Sequence, residues 1–244
     1  MECKISDVKT FKDCVMVSSE VLFEFHIMCD KDGMRWTGLD KSHVSFIECV
    51  LSSEFFVEYT CHTPVEIVID GGEFQKVIKR CNNSDDIMLV SDDYKLHVKY
   101  LNDNGERNFE LNYIDDVENS FNLPDIPFSR NNVPVPFKTL FEYMDDCLLY
   151  TNHVKLEFIE DTLNVTAAGD LGAYKGKIKL DEEYNGATVS GVFNIDKLKI
   201  FKKFSTFDEL YLCLGHNMPC LFMVKDVLDN IGFKLMVAPR IMQD

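Results

Sequence analysis

The chain is poor in positive charge. Among its 244 residues, 25 lysines and arginines stand against 41 aspartates and glutamates, which gives a formal charge of −16. Nucleic-acid-binding proteins usually carry a basic excess, so the total charge taken alone argues against that class. Apolar residues make up 46%, as in ordinary globular proteins, and this excludes a disordered chain. The length allows one large or two small domains.

Long apolar runs are also missing. The longest uncharged stretch, Leu210–Val224, has 15 residues and contains His216 and Pro219, whereas a membrane-spanning helix needs about 20 apolar residues. The first seven residues lack the basic start and apolar core of a secretory signal. We therefore expect a protein that is neither membrane-bound nor secreted.

Motifs for catalysis and for metal binding are absent as well. The sequence has no Gly-x-Ser-x-Gly and no Gly-x-x-x-x-Gly-Lys-Ser/Thr. Its nine cysteines form no Cys-x-x-Cys, and its six histidines are scattered singly, so we predict no metal site and no cofactor. An odd number of cysteines, mostly in apolar runs, fits buried free thiols in a reducing compartment. We predict no catalytic residue and do not expect an enzyme.

What the sequence does have is strand character. Short segments rich in Val, Ile, Phe and Tyr alternate with turns that contain Asn, Asp and Gly. This rhythm predicts hairpins in antiparallel sheets rather than a parallel α/β fold. The predicted strands of the first half are Val21–Met28, Met34–Leu39, Val44–Leu51, Val65–Asp70, Ile87–Ser91, Lys95–Leu101 and Arg107–Tyr113.

Four short segments show helical spacing instead. Phe74, Val77, Ile78 and Cys81 lie at i, i+3, i+4 and i+7, which is one stripe of a short helix. The four predicted helices are Val8–Val17, Glu73–Cys81, Pro136–Cys147 and Asn194–Phe204.

The order strand, helix, strands, helix, strands occurs twice along the chain. We therefore predict an α+β protein of two repeated domains, each with antiparallel sheets and two short helices. The predicted domains are 1–113 and 133–244. The segment 114–132 between them has two prolines and four acids, a composition typical of a connecting loop.

The charges are distributed unevenly over these segments. Taken as 9–17, 73–81, 136–147 and 194–204, the helices hold ten basic and six acidic residues, a net charge of +4 that leaves −20 for the rest. Lysines on ordinary solvated helix faces are the alternative explanation. That alternative predicts matching acids on the same faces, which the first, second and fourth helices lack. The third helix carries −2 and does not fit a basic face.

Several short motifs resemble the proliferating cell nuclear antigen family, the sliding DNA clamps of eukaryotes, archaea and some large DNA viruses. Asp40-Lys41-Ser42-His43-Val44 is similar to the Asp-x-Ser-His-Val signature of that family, and Gly169-Asp170-Leu171-Gly172 to its Gly-Asp/Glu-Leu-Gly turn. Phe109-Glu110-Leu111, Met218-Pro219 and Val237-Ala238-Pro239-Arg240-Ile241 also match. The motifs occur in the family's order over the whole chain, so the set is far more specific than any one of them.

The resemblance implies a DNA-clamp fold with helices on one face and sheets on the other. Three chains would close into a ring around duplex DNA and tether DNA polymerase, a clamp loader and other replication and repair proteins, with no catalysis. Phosphate contacts carry no base information, so lysines suit sequence-independent binding of double-stranded DNA. The expected DNA contacts are the ten basic helix residues, Lys9, Lys12, Lys76, Lys79, Arg80, Lys138, Lys197, Lys199, Lys202 and Lys203.

The resemblance also implies two protein interfaces. A pocket under the connecting loop would take the clamp-interacting peptide of a partner, and edge strands of neighbouring subunits would pair in a homotrimer. The implied pocket residues are Leu39, His43, Val44, Phe46, Phe121, Leu123, Pro124, Met218, Pro219, Ala238, Pro239 and Ile241. The implied subunit contacts are Phe109, Leu111 and Tyr113 on one chain and Tyr174, Gly176 and Ile178 on the next.

Other assemblies stay open. The acidic third helix and the departures from common clamp sequences fit a divergent subunit of a heterotrimeric or checkpoint-type ring, or a monomeric viral processivity factor. An enzyme or small-molecule-binding fold is a further alternative, with no group of residues behind it. The family implies a nuclear location, or a cytoplasmic or viral replication site if the source is viral.

Overall fold

Short strands and four α-helices alternate along the computed structural model, which describes residues 1–114, 126–181, 187–204, 207–226 and 228–240. The first strands are β1 (Glu2–Ile5), β2 (Glu24–Asp30), β3 (Gly33–Leu39), β4 (Ser45–Ser52), β5 (Glu58–Thr60), β6 (Val65–Asp70), β7 (Asp86–Ser91), β8 (Lys95–Asn102) and β9 (Gly105–Asn112). The later strands are β10 (Arg130–Pro136), β11 (His153–Ile159), β12 (Thr162–Gly169), β13 (Gly172–Lys179), β14 (Val189–Asn194), β15 (Glu209–Leu214), β16 (Cys220–Lys225) and β17 (Ile231–Val237). The helices are α1 (Val8–Ser18), α2 (Gly71–Lys79), α3 (Phe137–Cys147) and α4 (Ile195–Lys199), with 3-10 turns at Ser53–Phe55 and Ile200–Lys203.

Two compact units divide the chain. The first comprises Met1–Leu123 with Lys225–Phe233, and the second comprises Pro124–Val224 with Lys234–Asp244. The predicted boundaries, 1–113, 114–132 and 133–244, stay a prediction.

The predicted repetition of element order is confirmed. A strand, a helix, a run of strands, a second helix and a further run of strands occur first from β1 to β9 and again from β10 to β17. The pairing repeats as well: β2 pairs antiparallel with β3 and β6, and β11 pairs antiparallel with β12 and β14.

The strands of the first unit form two hydrogen-bonded rows, in which neighbouring strands pair in the order β5-β1-β7-β8-β9 and β4-β3-β2-β6. Alternate side chains of β2 and β3 point into a core that α1 and α2 cover, where Phe25 contacts Trp36 and Phe74 edge-on or tilted. The Trp36 Nε1 donates to Ser18 Oγ over 2.8 Å, which satisfies the only polar atom of that buried indole. Each fully buried phenylalanine contributes roughly 1.5–3 kcal/mol to stability.

The second unit repeats this plan with the rows β13-β12-β11-β14 and β10-β15-β16. Helix α3 packs on β12 and β13. Its buried Phe141 contacts Phe222, which in turn contacts Phe201 beside α4. Buried rings therefore fix the two helices against the sheets in this unit.

A capping residue decides where helix α2 begins. Asp70 accepts a hydrogen bond from the Glu73 amide over 2.8 Å, which sets the start of α2 at Gly71, and the helix ends at Lys79. The predicted range Glu73–Cys81 was therefore wrong at both ends. Gly71 is required here, because a side chain would lie 2.8 Å from the carbonyl oxygens of Leu22 and Phe23.

Strand β2 also begins later than predicted. Val21 and Leu22 are buried, but their amides bond back to the carbonyl of Ser18, which closes a turn after α1. The strand therefore starts at Glu24 and not at Val21. None of the described helices is long and apolar enough to cross a membrane.

Candidate nucleic-acid, peptide and subunit interfaces

The solvent-facing sides of α1 and α2 are basic. Lys9, Lys76, Lys79 and Arg80 are exposed, opposite the buried stripes of the two helices. Lys12 is half-buried, and its Nζ donates to the carbonyl of Cys81 over 2.8 Å, which ties α1 to the end of α2. Segments 9–17 and 73–81 together carry five basic and two acidic residues, a net charge of +3.

The helices of the second unit carry a smaller excess. Segments 136–147 and 194–204 hold five basic and four acidic residues, a net charge of +1. Lys138, Lys202 and Lys203 are exposed, whereas Lys197 and Lys199 are half-buried. The basic helix faces predicted from the sequence are therefore unequal, since those of the first unit carry most of the excess.

Asp145 of α3 is one of the four acids in these segments. Its two carboxylate oxygens lie 2.6 Å from the Nζ of Lys199 and 2.5 Å from the Nζ of Lys202. Partial burial alone would raise the pKa of Asp145, but hydrogen bonds and charge from the two lysines lower it below its usual value. The acid that set the third helix apart in the sequence therefore neutralises lysines of the fourth.

One buried carboxylate organises the loop between β3 and β4. Oδ1 of Asp40 accepts the amides of Val44 and Ser45 over 2.8 and 3.0 Å, and Oδ2 accepts the Ser42 hydroxyl over 2.7 Å. His43 takes a left-handed backbone conformation with φ 55°. Asp40 is buried while His43 is exposed, so the carboxylate holds a turn that presents the histidine to solvent.

Sequence reasoning placed Asp40 in the family signature but gave it no role. The available signal was an aspartate followed two residues later by serine, a pattern typical of side-chain-stabilised turns. The pattern does not reveal that a buried carboxylate would collect three donors.

The implied peptide-pocket residues fall in both units. In the first, Leu39 and Val44 are half-buried and Phe46 is buried. In the second, Met218, Pro219, Ala238 and Pro239 are half-buried. Phe121, Leu123, Pro124 and Ile241 lie outside the described residues. The pocket as a whole stays a prediction.

The segment after β17 is held on the second unit by Arg240. Its amide donates to the carbonyl of Val192 over 2.7 Å, and its guanidinium lies 3.3 Å from the Nδ1 of His153. Burial and the charge of Arg240 lower the pKa of His153 below its ordinary value. The motif in the sequence gave no indication of this histidine.

Each unit also contains a cavity. One of about 280 Å³ lies beside the Asp40 turn, where the Nζ of Lys41 sits 3.5 Å from the centre of the Phe23 ring. The other, of about 440 Å³, is lined by Phe137, Phe141 and Phe204. Among the described residues, no group of three or more His, Cys, Asp or Glu side chains is placed to hold a metal ion.

The implied subunit contacts lie on the outermost strand of a row in each unit. β9 ends the row β5-β1-β7-β8-β9, and β13 ends the row β13-β12-β11-β14. Leu111 and Ile178 are buried, whereas Phe109, Tyr113 and Tyr174 are half-buried. A side chain at Gly176 would lie 2.6 Å from the Tyr143 ring, so this position of β13 favours glycine.

Comparison with known proteins covers the whole chain. The family model for the N-terminal domain of proliferating cell nuclear antigen matches residues 1–119. The DNA polymerase sliding clamp of Methanobrevibacter smithii is 27% identical over 248 residues, with 100% of this chain and 99% of the relative covered. That of Methanothermobacter thermautotrophicus is 26% identical, with 98% of each covered. The chain belongs to the proliferating cell nuclear antigen family. Its Asp-x-Ser-His-Val signature is the loop that Asp40 organises.

Solved structures of this clamp family have the same fold. Proliferating cell nuclear antigen (PCNA) from Thermococcus kodakaraensis superposes with a TM-score of 0.90 at 19% identity, over 98% of this chain and 99% of that one. PCNA of A. fulgidus, bound to the C-terminal region of FEN-1, gives 0.89 at 19% identity over 100% and 99%. A PCNA2–PCNA3 complex from Sulfolobus tokodaii gives 0.88 at 19% identity over 98% and 99%. The clamp fold predicted from the sequence is confirmed.

Proposed function

We propose that this chain is a DNA sliding clamp that encircles duplex DNA and tethers DNA polymerase and other replication and repair proteins to it. The observation that carries the proposal is the match to DNA polymerase sliding clamps along the full length of the chain. We assign it no catalytic step: its work is to hold other proteins on DNA.

The basic helix faces suit sliding. Lysine and arginine contact phosphates without reading bases, so the same contacts form at every position along the duplex. An excess of +4 in a chain of −16 gives weak and salt-sensitive attraction. Retention on DNA then depends on closure of a ring and not on tight binding.

Ring closure uses the two outermost strands, β9 of one chain and β13 of the next. An uncovered strand edge presents unpaired backbone groups that favour pairing with another chain. Pairing of three identical chains in this way gives a homotrimer, which is the assembly we propose. The relative from A. fulgidus binds the C-terminal region of FEN-1. We propose the same kind of partner peptide for the pocket implied by the sequence.

Two measurements test the assembly and the encirclement. Light scattering should give a mass of about three times the 28.1 kDa of one chain. Loaded onto a nicked circular plasmid, the clamp should remain bound, and cutting the plasmid to linear DNA should release it. Equal release from circular and linear DNA would contradict encirclement.

The DNA-binding face is tested by paired alanine variants. Lys79→Ala with Arg80→Ala should weaken DNA binding and reduce the dependence of affinity on salt, by about 0.9 in the log–log slope for each phosphate that the variant no longer neutralises. The matched control is Lys31→Ala with Lys225→Ala, two exposed lysines outside the helices. Equal effects from the two pairs would contradict the assignment.

The same size measurement tests a second assembly. The helices of the second unit carry only +1, and the structural relative from S. tokodaii is a complex of two different clamps. Both observations favour a subunit of a heterotrimeric ring as the alternative. A stable monomer at micromolar concentration would support that alternative against the homotrimer.

A further inference from the structure

A row of three lysines lies on one face of the edge strand β13. Lys175, Lys177 and Lys179 occupy alternating positions and are all exposed. The residues between them face helix α3, since the ring of Tyr174 lies 5.9 Å from that of Tyr143, and the same Tyr143 closes off Gly176. The lysine row therefore lies on the sheet face opposite the helix.

The neighbouring strand does not neutralise this row. The residues of β12 opposite the three lysines are Thr166, Asn164 and Thr162, none of which is charged. A strand that pairs with this edge would be stabilised by opposite charges directly across from the lysines and destabilised by like charges there. Lysine is also the residue by which edge strands discourage indiscriminate pairing.

The edge strand β9 carries the opposite pattern. Its alternating exposed residues are Glu106, Asn108, Glu110 and Asn112, while Phe109 and Leu111 lie on the other face. Glu110 bonds to Lys95 of β8 over 2.5 Å, yet its side chain remains 53% exposed. The row on β9 itself holds two carboxylates and no cation. On the same face, Lys95, His97 and Lys99 of β8 lie opposite Asn112, Glu110 and Asn108, whereas Glu106 lies opposite Leu101.

The two rows match in face and in spacing. If both chains keep their helices on the same side, the lysine row of β13 lies beside the Glu/Asn row of β9. A slip by one residue would exchange the faces, so only registers in steps of two are compatible. Glu106 and Glu110 are four residues apart, as are Lys175 and Lys179. One antiparallel register therefore pairs Glu110 with Lys175 and Glu106 with Lys179.

We propose that these five charges select which edges meet: β13 accepts β9 of a second copy of this chain and rejects another β13. This inference rests on the ring proposed above. Two β13 edges brought together would oppose six lysines, whereas β9 against β13 opposes carboxylates and ammonium groups. Such a rule favours head-to-tail contacts, which close into a ring, over a two-fold dimer.

Charge exchange tests the proposal in the full-length protein. The first variant is K175E with K177E and K179E, the second is E106K with E110K, and the third combines all five changes. Each of the first two should need at least tenfold more protein than the parent to assemble, measured by light scattering across a dilution series. The combined variant, in which the signs are exchanged, should assemble again.

The control for the first variant reverses three positive charges elsewhere in the chain. K31E with R35E and K225E changes three exposed residues outside the two edge strands, and it should assemble like the parent. Thermal unfolding of each variant shows whether it is folded. Full assembly of the first variant, or failure of the combined variant to recover while folded, would overturn the inference and leave the ring intact. A monomeric parent would instead overturn the proposed ring.

Discussion

At the scale of single residues, the side chain of Asp40 holds the loop between β3 and β4 in its conformation. One buried carboxylate accepts two amides and a hydroxyl and so fixes the turn that exposes His43. The motif could be recognised from the sequence, but the burial of its aspartate could not. Burial depends on the strands that surround the loop and not on the loop's own residues.

Replacing Asp40 with alanine should lower the free energy of unfolding by about 1–3 kcal/mol, because the buried amide of Ser45 and the half-buried amide of Val44 lose their acceptor. If the implied peptide pocket includes this loop, binding of a clamp-interacting peptide should weaken as well. Urea denaturation and a fluorescence titration measure the two effects. Asp103→Ala, at an exposed turn, is the control. Unchanged stability of the Asp40 variant would contradict the role given to the carboxylate.

We predict that the attachment of Arg240 depends on pH through His153. Burial and the neighbouring guanidinium hold its pKa below the unfolded value of about 6.5. The interaction, in which neutral Nδ1 faces Arg240, is therefore complete above pH 6.5 and disappears as the pH falls through the folded pKa. Hydrogen-exchange protection of the Arg240 amide should decrease over that range, and His153→Gln should remove the dependence. Constant protection from about pH 7.5 to about pH 5 would contradict it.

At the scale of elements, spacing along the sequence predicts which segments form helices and strands but not which residues contact one another. Strand-like composition between turn signals located most of the strands of the first half, and helical spacing located all four helices. The predicted start of α2 was wrong because a capping aspartate and a close backbone approach at Gly71 set it. The pairing of Asp145 with two lysines of the following helical segment spans more than fifty positions, and no local pattern reports such a contact.

Asp145→Asn should strengthen DNA binding. The isosteric change removes one anion and releases Lys199 and Lys202, whose ammonium groups it holds at 2.6 and 2.5 Å. If both then contact phosphate, the log–log dependence of affinity on salt steepens by up to about 1.8. Fluorescence anisotropy with short duplex DNA measures this. Asp146→Asn removes the same charge from an exposed position of the same helix; an equal effect there would contradict a specific role for Asp145.

At the scale of the whole molecule, the net charge of −16 was a poor guide to whether the chain binds nucleic acid. The net charge is the sum of +4 on the helices and −20 on the sheets and loops. The two contributions became visible only when the charged residues were assigned to helices, strands and loops. The repeat could be predicted because both halves carry the same order of elements. The return of Lys225–Phe233 to the first unit could not, since it depends on tertiary packing alone.

Because its cysteines are mostly buried, labelling of their thiols can be used to follow unfolding of the protein. Eight of the nine thiols are buried, and Cys61 is half-exposed. Burial also raises the pKa of Cys29 to about 12 and of Cys147 to about 11, so few reactive thiolates form. A thiol reagent should therefore label the native chain at one site and the denatured chain at nine. Cys61→Ser should leave the native chain unlabelled; rapid labelling of that variant would contradict the burial. The mean number of labels per chain then measures the fraction of molecules that is folded.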